Sequence, residues 1–390
     1  MFVLAVAVAA CGDNLAAPDA SGFHEALPPH GVMPQVIQFG GPVLTAPVVQ
    51  PIFFASAMDP ATEPYVEGFL PALASSTYWP TVVSEYGVGA LTVMPSIVSM
   101  DPVPTTDPDM ATYLTGQLDG THAGWPLADA KQTVYMVQLP PNIVYAGPVG
   151  YACSTFAGYH SEVSNGMATG FSYAVIANCG GSDALDQVTD TISHELVESV
   201  TDPKVNSAPA FATVDQGHLA WSQAAGAELA DMCEWTASEM DRLVDNYLVQ
   251  RIWSNAAALA GTDPCVPAAP GIYYNAAPEL GQVSVGSSAV PTLGVEIPLG
   301  SGKDISFELF SDQPGSAWAV AAIDGAELFG DEPSLKVEYG SKYSGSNGDM
   351  LTILVNRTKA APKGGNLLFV EDKPAGDDQT VANYWWIFVE

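Results

Sequence analysis

Lysine and arginine are scarce. Of 390 residues only 11 are Lys or Arg, against 43 Asp or Glu, for a formal net charge of −32. Gripping a phosphate backbone takes clustered cations, so nucleic-acid binding is not expected. Anionic polymers and anionic membrane surfaces are poor partners on the same Coulombic ground. Charged residues make up just 14% of the chain, so the imbalance comes from missing bases, not from a dense coat of carboxylates. No apolar run is long enough to cross a bilayer as a helix. There is also no Cys-x-x-Cys pair and no Gly-x-Ser-x-Gly elbow, which removes the common signatures of a thiolate zinc site and of an α/β serine hydrolase.

What is present is ample apolar material. Hydrophobic residues are 48% of a chain long enough for two domains, so large cores can form. Residues 1–11 are apolar up to Cys11 and resemble a bacterial lipobox, in which the cysteine is lipidated and becomes the mature N-terminus. Residues 12–30, rich in Ala, Pro, Asp and Gly, read as a flexible tether, which makes 1–30 a signal-and-tether region. The expectation is an exported protein, either a cell-envelope lipoprotein or extracellular, touching a membrane only through that anchor. Four further cysteines, Cys153, Cys179, Cys233 and Cys265, then imply two disulfides with three possible connectivities. The sequence-local pairs Cys153–Cys179 and Cys233–Cys265 are expected.

Hydrophobic patterning divides the rest of the chain near residue 270. Before it, strands are predicted at 35–39, 48–55, 90–100, 133–139, 171–177 and 249–253. Helical patterns fall at 62–86 (broken at Tyr78-Trp79-Pro80), 108–118, 184–200 and 254–260. Interleaved helices and strands predict an α/β or α+β first domain with a mixed sheet over 31–268. Residues 265–270 look like a linker. From 271 to 390 about eight short alternating strands, separated by Gly, Asp, Ser, Asn and Pro, predict an all-β sandwich of immunoglobulin-like or jelly-roll type.

Chemistry concentrates in one predicted helix. Residues 191–203 contain His194-Glu195-Leu196-Val197-Glu198 and end on Thr201-Asp202-Pro203. Residues four apart share a helix face, so His194 and Glu198 can address one atom, and Val188, Ile192, Leu196 and Val200 form the apolar stripe that would fix the helix in a core. Zincins use two ligands one turn apart with the intervening Glu as general base, the part that falls here to Glu195. The second His of the usual His-Glu-x-x-His signature is replaced by Glu198.

A third ligand is needed, and Glu228 in Ala227-Glu228-Leu229-Ala230-Asp231 is the expected one, with Asp231 orienting His194 through its free ring nitrogen. His160, in a polar Gly-containing stretch, is an alternative ligand, and His218 a weaker one. The expected metal is Zn²⁺, and a carboxylate-rich donor set would also accept Mn²⁺ or Ca²⁺.

These residues resemble a family of secreted proteins from myxobacteria and other soil bacteria. Its members carry His-Glu-Leu-x-Glu-x-x-Thr-Asp-Pro followed by Gly-Glu-Leu/Ile-x-Asp-x-Cys, matched here by 194–203 and 227–233, with Ala227 in place of the first Gly. Plant phosphate-induced, EXORDIUM-like proteins are similar over the same region, with an upstream Gly-x-His segment that His160 matches. The likeness spans 41–267 and stops before the all-β region. It implies a zincin-like metallopeptidase domain that acts on a peptide or protein. The rival expectation is a non-catalytic cell-surface binding or adhesion protein with a structural or degenerate metal site.

Overall fold

The computed structural model describes residues 31–390 apart from 56–58, 130, 165–169, 287–288, 316, 341–342, 360–365, 375 and 377–379. The apolar start with Cys11 and the tether after it lie outside the described residues.

Val48–Phe54, Thr133–Gln138 and Phe171–Ile176 run parallel as the middle of a mixed sheet. Their continuous runs of Val, Ile, Phe, Tyr and Met suit strands covered on both faces. Alternation sorts these side chains into two cores. Phe53, Met136 and Ile176 face one cluster, shared with Phe69 of helix Thr62–Ser75 and Ile192 of helix Ala184–Thr201. Phe54, Val137 and Tyr173 face the other, closed by Met110 and Leu114 of helix Asp107–Gln117. Helices therefore cover both faces of the sheet.

The sheet's two edges differ. On one side Thr92–Val93 and Ile97–Ser99 both pair with Val48–Phe54 in parallel. The single strand expected over 90–100 is interrupted around Pro95, which has no N–H to give a ladder. On the other side Gly158–Val163 runs antiparallel to Phe171–Ile176, with His160 opposite Ala174. Nothing in the hydrophobic pattern predicted this strand. The break within 62–86 falls at residues 76–77, and Pro80 sits in the first turn of helix Tyr78–Val83, where its missing N–H costs nothing.

Beyond residue 270 the expected strands appear with shifted ends, joined by Tyr274–Pro278, Ser344–Gly345 and a short helix Gly325–Leu328. They make a four-stranded antiparallel sheet and a six-stranded sheet containing one parallel pair, Val290–Val295 with Asn383–Val389. The protein is thus a mixed, sheet-rich α/β chain. Residues 265–266, expected in a linker, instead form the strand Cys265–Val266 paired with Ile252–Trp253. One buried cluster continues from the motif helix into the C-terminal sheets. At the junction the Trp221 ring lies 4.8 Å from Tyr384 and 5.8 Å from Trp253.

Both expected disulfides are present, Cys153–Cys179 and Cys233–Cys265. They are compatible with an extracellular protein.

Candidate metal centre

Helix Ala184–Thr201 carries the motif on a buried face: Glu195 and Glu198 are 5% and 3% exposed, held there by Ile192, Leu196 and Val200 in the core. One turn apart, as helix geometry dictates, His194 Nε2 and Glu198 Oε2 stand 3.2 Å from each other. Glu198 divides its two oxygens. Oε1 accepts from the backbone N–H groups of Ala230 and Asp231, at 3.2 and 3.3 Å, while Oε2 faces the histidines.

The segment from Gly226 to Cys233 brings a second set of acids to this helix. Gly226 has φ +107°, and a Cβ there would sit 2.1 Å from Asp231 Oδ2, so only glycine allows the chain to fold back. Ala227 also has a positive φ, +82°, the conformation that a glycine in this place would hold without strain. Asp231 Oδ1 then lies 3.6 Å from His194 Nε2. Glu228, expected as the third ligand, faces His160 instead, its Oε1 3.6 Å from Nε2 of that ring. Asp231, expected to orient His194, is one of the donors converging on Nε2, and the orienting contact comes from elsewhere.

It comes from Gln250, at the end of strand Tyr247–Gln250. Its side-chain N–H donates to the Ala230 carbonyl at 2.7 Å, which fixes the amide so that Oε1 accepts from His194 Nδ1 at 2.8 Å. With Nδ1 as donor, Nε2 is left facing Glu198 and Asp231, either as a second N–H or as a lone pair awaiting a cation.

The edge strand supplies the remaining histidine. Because His160 pairs with Ala174, whose side chain shares the cluster of Ile192 and Leu196, its own ring points toward the motif helix. Nδ1 lies 3.6 Å from both Glu195 Oε2 and Glu198 Oε2. Two residues earlier, Gly158 lets strand and helix touch: a Cβ there would fall 2.5 Å from Thr191 Cγ2 and 2.8 Å from Glu195 Cγ. His218, the weaker alternative, is tied to Asp215 at 2.9 Å and donates to the Val32 carbonyl at 2.9 Å, and is not part of this group.

Electrostatics make the group unusual. Glu195, Glu198, Glu228, Asp231 and Glu234 line one open cleft of about 460 Å³ together with both histidines. Among the described residues no Lys or Arg pairs with any of these acids. Burial alone would depress both rings. Against it, Glu228, Glu195 and Glu198 hold His160 well above the usual imidazole range, and Glu198, Glu195 and Asp231 do the same for His194. Burial would raise Glu198, but His194 and His160 overcome it and keep this carboxyl well below its usual value. Burial drives Glu228 and Asp231 well above theirs, reinforced by the acids around them. Asp190, one turn before His194 in the same cleft wall, is pushed by burial to about 7.

Two donor sets converge closely enough for an ion: His194, Glu198 and Asp231, and His160, Glu195 and Glu198, the chosen atoms in each within 4.8 Å of one another. Ligands about 2.1 Å from a tetrahedral ion stand about 3.4 Å apart. The spacings of 3.2 and 3.6 Å around His194 Nε2 fit that edge, and 3.6 Å is too long for a direct hydrogen bond. Nitrogen and carboxylate donors suit Zn²⁺ or Mn²⁺.

No protein-family model matches the chain, and no curated protein matches it.

Proposed function

We propose that this chain is a metal-dependent hydrolase that cleaves peptide bonds in extended substrates. The observation that carries the reading is the convergence of His194 Nε2, Glu198 Oε2 and Asp231 Oδ1 at ligand spacing, with Glu195 on the same helix and inside the same cleft. This keeps His194 and Glu198 as the expected pair and reassigns the third position from Glu228 to Asp231. A divalent ion held there would polarise a substrate carbonyl and make water easier to deprotonate.

The chain's own residues supply the rest. Glu195, buried but open to the cleft, takes the proton from the attacking water and returns it to the leaving amine. Gln250 holds His194 in one tautomer. The outer edge of Gly158–Val163 has no backbone partner among the described residues, so its N–H and C=O groups can align an extended peptide as an added strand above the helix. That edge favours a peptide over a compact small molecule.

The zincin-like character of residues 31–268, the resemblance to secreted bacterial His-Glu-x-x-Glu proteins, an exported and lipid-anchored location, and a β-sandwich formed by residues 271–390 belong to the same proposal. The two disulfides and the paired C-terminal sheets support it.

The test is metal analysis of the full chain after equilibration with trace Zn²⁺, followed by hydrolysis of a mixed peptide library. The wild-type protein should retain zinc and cleave. Glu195→Gln should keep the ion bound by His194, Glu198 and Asp231 while losing about 10²–10⁴-fold in rate. A protein that holds no stoichiometric metal, or a Glu195→Gln variant that cleaves normally, defeats the reading and leaves the binding-protein alternative.

A further inference from the structure

We infer that the cleft holds two divalent cations, the second one bound by His160, Glu195 and Glu198 and sharing the Glu198 carboxylate with the first. This rests on the preceding reading only for the first ion. Three observations carry it. Among the described residues the donors form two sets and not one: neither set contains both histidines, and Glu198 belongs to each. Next, the His160 side chain is only 5% exposed, and its Nδ1 stands 3.6 Å from both Glu195 Oε2 and Glu198 Oε2, too far for a direct hydrogen bond but at the spacing of ligands on one ion. A buried imidazole in that state is costly unless something in the cluster satisfies it. The last is charge. Asp190, Glu195, Glu198, Glu228, Asp231 and Glu234 line one cleft, and among the described residues no Lys or Arg pairs with any of them. With all six carboxylates ionised, one divalent ion beside two neutral histidines leaves four negative charges in the cleft, and a second leaves two.

The geometry is that of a carboxylate-bridged pair. Glu198 Oε2 lies 3.2 Å from His194 Nε2 and 3.6 Å from His160 Nδ1, so an ion on either side can take the same carboxylate as ligand. Two ions sharing one carboxylate stand about 3.5–4 Å apart in known two-metal sites. Glu195 Oε2, 3.6 Å from His160 Nδ1, completes the second set. Glu195 still has its other oxygen for proton transfer. Glu228, 3.6 Å from His160 Nε2, lies on the far side of that ring, too far for a direct hydrogen bond and outside the second set.

The experiment is a titration of the metal-depleted full chain with Zn²⁺ by calorimetry, with elemental analysis after desalting, and with Mn²⁺ for electron paramagnetic resonance. Wild type should bind two equivalents, and the Mn²⁺ form should show the exchange-coupled spectrum of neighbouring ions. His160→Ala should bind one equivalent with affinity within about threefold of the wild type's tighter site, and its Mn²⁺ signal should be that of isolated ions. His160→Gln, which keeps polarity and much of the volume, should behave the same way and guards against misfolding of the alanine variant. One equivalent in wild type overturns this inference and leaves the proposed hydrolase standing. No bound metal overturns both. Two equivalents retained in both His160 variants would place the second ion elsewhere and also overturn it.

Discussion

Gln250 shows how much of this centre depends on a single side chain that no motif would flag. It is neutral, sits at the end of a short strand, and among the described residues its side chain hydrogen-bonds to His194 Nδ1 and the Ala230 carbonyl. Groups that fix the tautomer of a ligating histidine commonly control metal affinity by 10–100-fold. Gln250→Leu, which keeps the bulk and removes both hydrogen bonds, should weaken the tighter zinc site by about that factor with a near-normal far-ultraviolet spectrum. Competition with a chelator of known affinity measures it, and an unchanged constant would show that His194 is oriented by its packing alone. At the same scale, His194, Glu195, Glu198, Glu228, Asp231 and His160 were all legible as candidates from their spacing, whereas Asp190 and Glu234, which line the same cleft, carry no motif. The division of labour between Glu228 and Asp231 was not legible. It turns on the positive φ angles at Gly226 and Ala227, which aim Asp231 at His194 and leave Glu228 facing His160.

The element that matters most after the motif helix is the Gly158–Val163 strand. Its sequence, Gly-Tyr-His-Ser-Glu-Val, has no apolar alternation, because the face that would ordinarily be apolar carries His160 toward the acids and Glu162 toward the 206–207 backbone. A strand that spends one face on chemistry loses the pattern by which strands are recognised. The motif helix was predicted almost to its ends, since its Val188-Ile192-Leu196-Val200 stripe is a local property. What joins the two elements is Gly158, pressed on Thr191 and Glu195 with no room for a methyl group. Gly158→Ala must push the strand from the helix. It should cost about 1–3 kcal/mol by overpacking, read as a lower thermal midpoint, and it should weaken zinc binding because His160 and Glu195 separate. An alanine variant of wild-type stability would mean that the close approach is dispensable.

At the scale of the whole molecule, the two halves are tied through the same segment that carries Asp231. The Tyr384 hydroxyl donates to the Met232 carbonyl at 2.9 Å, and Ala237 N–H donates to the Val381 carbonyl at 2.8 Å. Cys233–Cys265 pins the segment from behind, with both cysteines buried, whereas Cys153 and Cys179 are exposed beside the Thr155–Gly158 wall of the cleft. Thiol–disulfide exchange requires access. A mild thiol under native conditions should therefore reduce Cys153–Cys179 first, and alkylation with mass spectrometry should label Cys153 and Cys179 well before Cys233 or Cys265. Equal labelling of all four would show that the core opens as readily as the cleft rim.

The sequence by itself determined which local pieces exist. Helix periodicity put His194 and Glu198 on one face, long apolar runs marked the central strands, and the cysteine count and spacing anticipated the two disulfides that the structure contains. These are properties of neighbours along the chain, set by backbone geometry and side-chain solvation. Only the tertiary structure decided which distant groups meet. The edge strand brings His160, the glycine turn brings Asp231, and a strand more than fifty residues away brings Gln250 to the same helix. Such encounters depend on sheet order and on a few close backbone approaches, and neither leaves a periodic trace in the chain.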